Sequence, residues 1–97
     1  MIETRRFIEG QDYYVYYDVP LPNGIHGATV PDGNFYSIYI NPRYPQSIRD
    51  HAFFHELSHI ILGHFWDDTK TAEEKDAEAE AFIPEARRLY VEWKSDD

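Results

Sequence analysis

Hydrophobic positions change their period once along the chain. Up to about residue 41 they come in short runs or alternate with polar ones, as strands do; from residue 48 they recur every three or four, as helices do. The aromatic and β-branched run YYVYYDV at 13–19 predicts a first strand. Pro20 and Pro22 end it, and Asn23-Gly24 marks a turn. A second strand is expected over 25–30, closed by Pro31, and Asp32-Gly33 then signals a hairpin. In the following NFYSIYIN, Tyr36, Ile38 and Ile40 face one way and Phe35, Ser37 and Tyr39 the other. Residues 2–8 suit a short strand or a helical turn equally.

Two helices follow a break near Pro42 to Pro45. Ser47 with Asp50 fits a capping box, which starts the first helix near Ile48; it runs to Gly63 with apolar residues on nearly every side and is therefore buried. Thr71 and Glu74 repeat the capping pattern for the second helix. Ala79, Phe82, Ile83, Ala86, Leu89, Tyr90 and Trp93 form its single apolar stripe. Pro84 predicts a kink or break near 81–84. The fold class is α+β, a small antiparallel sheet of about three strands packed on two main helices. With 97 residues the chain reads as one domain, with a poorly defined segment at 1–12 and a frayed end at 94–97.

The buried first helix carries charged and titratable residues, and these change the picture. His55-Glu56-Leu57-Ser58-His59 is an H-E-x-x-H pattern. Residues four apart share one helical face, so both imidazoles can reach one ion, and Glu56 points toward a water on it. The ion lowers that water's pKa toward about 7, and the carboxylate takes its proton. Without an ion, these side chains in an apolar helix would carry a desolvation cost.

A catalytic zinc needs a third protein ligand and an open position. The chain has no cysteine, so the donors are His, Asp or Glu. His51 lies about 12 Å along the axis from His59, too far to share its ion, and has a surface or supporting role. His64 is expected to face roughly 140° away from His59, near the helix C-terminus. His26 sits in a loop with no sequence argument for its direction. On the second helix Glu78 falls about 70° from the centre of the apolar stripe, whereas Asp76 and Glu85 fall roughly 90° away and Glu74 and Glu80 further. Glu78 is thus the acid best able to look inward, although a solvated carboxylate at the stripe's edge suits the spacing equally well.

Charge narrows the partners. Nine basic residues against 18 acidic ones give −9, which disfavours direct nucleic-acid binding and docking to an anionic membrane. The N-terminus lacks the apolar core of a signal peptide and no stretch is long enough to span a bilayer, so the cytoplasm is the expected compartment.

The run HELSHIILGH, followed by EKDAEAEAF, resembles the ImmA/IrrE family of metallopeptidases. The likeness spans about residues 14–83 and includes the LPNGIHG turn and a strand ending in Asn just before the helix. It implies a zincin-like minimal domain with His55, His59 and Glu78 as metal ligands and Glu56 as the catalytic base. It also implies proteolysis of a regulatory protein such as a helix-turn-helix repressor, which switches on a mobile element or a stress response. The chain departs from the family in its shortened N-terminal segment and in the IPEARRLY run after Phe82. The expected function is a zinc-dependent endopeptidase, with Mn2+ also suited to a two-His, one-carboxylate set. The alternatives are a zinc-stabilised module that sequesters a repressor or toxin uncut, and a metal-free structural domain.

Overall fold

The computed structural model describes residues 5–95. Three strands, β1 (Tyr13–Tyr16), β2 (Gly27–Asp32) and β3 (Phe35–Ile40), precede two helices, α1 (Gln46–Ile61) and α2 (Ala72–Ser95), with a short 3-10 turn at His64–Trp66 between them. The α+β expectation is met, with one difference in the sheet. Its order is β1-β3-β2; β2 pairs antiparallel with β3 through the expected hairpin, while β1 lies parallel to β3. The sheet is therefore mixed, because β1 does not turn directly back on its neighbour. The loop at residues 17–26 carries the chain past β3 to the far edge.

The alternation in β3 works as expected. Tyr36, Ile38 and Ile40 are buried and pack with Ala52, Phe53, Leu57 and Ile60 of α1 and with Leu89 and Trp93 of α2. Thr29 and Gly27 face the same way from β2, opposite Ile38 and Ile40. Since β3 is central, its Tyr39–Asn41 end offers no free edge for an incoming strand. On the side of α1 that edge belongs to β2.

The helix ends divide into one expected and one corrected case. At α2, Thr71 and Glu74 form the complete reciprocal box: the Thr71 N–H donates to Glu74 Oε1 at 3.0 Å and the Glu74 N–H to Thr71 Oγ at 3.1 Å. At α1 no side chain among the described residues caps the helix; Pro45 is the N-cap, and Asp50 instead accepts from Gln46 Nε2 at 2.6 Å. Proline favours helix starts because its fixed φ suits them and its missing N–H would be unsatisfied there anyway. α2 continues through Pro84 without a break. Its flanking residues Ile83 and Ala86 are buried in the core, and that packing holds the helix together across one missing hydrogen bond.

Residues 5–12 are ordered by specific contacts. Phe7 is buried against Trp93, and Asp12 accepts from Arg5 at 2.7 Å and from the Ile8 N–H at 2.8 Å. These contacts fall within the start expected to be poorly defined; residues 1–4 of it lie outside those described. At the other end Lys94 and Ser95 remain helical, and residues 96–97 of the expected frayed end again lie outside the described residues. Among the described residues, no helix is long and apolar enough to cross a membrane.

Candidate metal centre

α1 presents His55 and His59 on one face, as their spacing requires. Their Nε2 atoms stand 3.1 Å apart. The third group to arrive is Asp76 of α2: its Oδ1 lies 3.0 Å from His59 Nε2 and 3.5 Å from His55 Nε2. These three donors form the ligand cluster found among the described residues. The fit to an ion can be tested on the edges of this triangle. Bonds of about 2.0–2.1 Å in tetrahedral geometry require donors about 3.3 Å apart, and the observed edges of 3.0, 3.1 and 3.5 Å bracket that value. Two imidazoles and one carboxylate also leave one tetrahedral position open, as a catalytic ion requires.

Glu78, expected as the third ligand, is not brought to the pair. It faces the other margin of α2, where Oε1 accepts from His64 Nε2 at 3.0 Å and both oxygens accept from Lys70 Nζ, at 2.9 and 2.7 Å. The reason is geometric. The apolar stripe of α2 faces the core as a whole, while the histidines emerge at the side of it, so a ligand must stand on one margin of the stripe. Asp76 and Glu78 are about 200° apart around the helix and occupy opposite margins. Spacing within α2 does not tell which margin meets α1.

Both imidazoles are held from behind. His55 Nδ1 donates to Glu80 Oε1 at 2.8 Å, which leaves its Nε2 lone pair directed at the cluster. His51, outside the ligand set as expected, donates to the same carboxylate at 3.0 Å. Partial burial opposes ionisation of Glu80, but these two hydrogen bonds outweigh it and hold the carboxyl below its usual range. Asp76 and Glu80 are one helical turn apart, so a single face of α2 supplies both the third donor and the support of the first. His59 is held below the usual imidazole range by burial and then by His55 and His64. It is thereby kept in the neutral form that a metal binds.

Glu56 is buried beside the cluster, and its Oε1 accepts from Thr29 Oγ1 at 2.8 Å. Burial raises its pKa above 4.5, against the opposing effects of the Thr29 bond and of His55. A desolvated carboxylate of this kind accepts a proton more readily than a solvated one. Gly27 permits the approach of β2: a Cβ there would lie 3.2 Å from the Tyr39 carbonyl and 3.4 Å from Glu56 Cγ. Glu56 also lines two cavities. One of about 260 Å³ is walled by His26, Gly27, His51, His55 and Glu80, and one of about 420 Å³ by His59, Phe65, Lys75 and Asp76. The first cavity places His26 at the site, which the sequence left open.

His64 departs most from expectation. The 140° offset assumed that α1 continued to residue 64, but the helix ends at Ile61 and Gly63 turns the chain at φ 71°. A left-handed residue suits glycine because it has no Cβ to clash. The turn returns His64 to the site, buried, with Nδ1 2.8 Å from His59 Nδ1. A second support missed by sequence reasoning is Asn41, which is buried and donates from Nδ2 to the Leu21, Pro22 and Ile25 carbonyls at 3.3, 3.4 and 2.9 Å. It pins the loop that carries His26. The signal available in sequence was a lone polar residue directly following an apolar strand.

No family model, characterised protein or solved structure matches this chain.

A bound ion would stabilise only the folded state. At 100-fold excess over Kd this is worth about 2.7 kcal/mol, or a shift of roughly 10–20 °C for a domain this size. Differential scanning fluorimetry with and without chelator is expected to read a fall of that order, reversed by added Zn2+.

Proposed function

We propose that the chain is a zinc-dependent endopeptidase that cleaves a regulatory protein and works in the cytoplasm. The observation that carries this reading is the triangle of His55 Nε2, His59 Nε2 and Asp76 Oδ1 with the buried Glu56 carboxylate beside it. When bound, a divalent cation supplies Lewis acidity, polarising a carbonyl and lowering the pKa of a water. Glu56 accepts the proton of the attacking water, held in place by Thr29, and returns it to the departing amine. His55 and Glu80 keep the donor set in register.

Substrate enters as an extended segment paired with the outer edge of β2, whose Thr29 and Gly27 stand beside Glu56. The net charge of −9 favours a basic segment, which agrees with a DNA-binding repressor, the substrate class that the ImmA/IrrE resemblance implies. Mn2+ also suits the donor set.

The test is direct. Zinc-loaded protein is incubated with purified helix-turn-helix repressors encoded beside this chain, and fragments are read by mass spectrometry. Cleavage is expected, stopped by chelator and restored by Zn2+. A repressor that co-purifies intact with stoichiometric metal would instead establish a zinc-stabilised binding module. Absence of bound metal would overturn both readings.

A further inference from the structure

The structure binds His59 into a chain of hydrogen bonds that the hydrolytic chemistry does not require. From His59 Nδ1 it runs 2.8 Å to His64 Nδ1, from His64 Nε2 3.0 Å to Glu78 Oε1, and from the Glu78 carboxylate to Lys70 Nζ. Neutral imidazole has one N–H and one acceptor nitrogen, so a single arrangement of protons satisfies every link once Nε2 of His59 acts as a ligand. His59 then donates from Nδ1, His64 accepts at Nδ1 and donates from Nε2, and Glu78 accepts as a carboxylate. Both Glu78 oxygens also face the Lys70 ammonium, at 2.9 and 2.7 Å, so the relay ends on an ion pair. His64 is 2% exposed, so water does not readily replace either of its partners.

We propose that His64 is a positioning residue for the metal ligand His59, anchored by Glu78 and Lys70. The relay fixes the His59 ring and the tautomer that leaves Nε2 unprotonated. His55 gains the same support directly from Glu80; His59 gains it through an intervening ring. The two acids thus divide the work: Asp76 meets the ion, and Glu78 acts through His64. This inference rests on the cluster as a metal site, not on what that site hydrolyses.

The test measures Zn2+ affinity by competition with a chromogenic chelator, together with visible absorption of the Co2+-loaded protein. Parent protein is measured first, and failure of the parent to bind metal refutes the site itself. His64→Leu removes the acceptor and is expected to weaken binding by about 10–100-fold and to alter the Co2+ bands. His64→Asn can return an acceptor near the Nδ1 position and is expected to recover most of the affinity. Nitrogen-15 spectra of zinc-loaded parent should show His64 protonated at Nε2 alone and His59 at Nδ1 alone. If His64→Leu folds and matches the parent in affinity and Co2+ spectrum, the proposal is overturned. If that variant does not fold, the histidine spectra decide: a His64 proton on Nδ1 overturns it and one on Nε2 alone supports it.

Discussion

Replacing Glu56 by Gln should leave metal binding intact and reduce peptide hydrolysis by about 10²–10⁴-fold, the usual contribution of a positioned general base. Gln has the same shape and its carbonyl oxygen can still accept from Thr29 Oγ1, now 2.8 Å from the carboxylate, so the surrounding packing is preserved. What is lost is the ability to take a proton. Initial cleavage rates together with zinc stoichiometry check this, and undiminished cleavage would place the base elsewhere. A second readout separates the charge from the chemistry. Burial raises the folded-state pKa of Glu56 above 4.5, so its contribution favours the fold below pH 4.5 and is lost as pH rises through the raised value. Metal-free parent should therefore lose that increment on the way to neutrality, whereas Glu56→Gln should not. Thermal melts of the two across pH 4–7 measure the difference.

The sharpest division between sequence and structure lies at the third ligand. Asp76→Ala should weaken Zn2+ binding by more than the roughly 10–100-fold typical of residues supporting a ligand. Glu78→Ala should stay within that range. Asp76→Ala removes an oxygen 3.0 Å from His59 Nε2; Glu78 touches His64 and Lys70 and would act on a bound ion only through them. The fold should tolerate Asp76→Ala, since an exposed acid in the second turn of a helix contributes at most about 0.3–1 kcal/mol through the helix dipole. Isothermal titration of both variants checks the contrast. The reverse order of affinities would restore Glu78 as the ligand.

Much of the fold could be read along the chain. The alternation of β3, the hairpin at Asp32-Gly33, the capping box at Thr71 and Glu74 and the stripe of α2 are local patterns, and each appears where expected. They are legible because the residues that cause them are close in sequence. The mixed pairing of β1 was not legible, because a strand's partner depends on the path of the intervening loop rather than on its own composition. Nor was the capping of α1, where a plausible Ser47 box gives way to Pro45.

The site divides in the same way. His55, Glu56 and His59 are fixed relative to one another by a single helix, whose 3.6-residue turn makes sequence spacing equivalent to geometry. That much the sequence determined alone. Asp76, Glu80 and His64 arrive from elements whose approach depends on how α2 lies against α1 and on the turn at Gly63. A periodic pattern shows which face of a helix is apolar but not which flank of that face meets a neighbour. Only the tertiary structure decided that Asp76, and not Glu78, lies beside the two histidines, because that placement is made by the packing of two helices and not by either one.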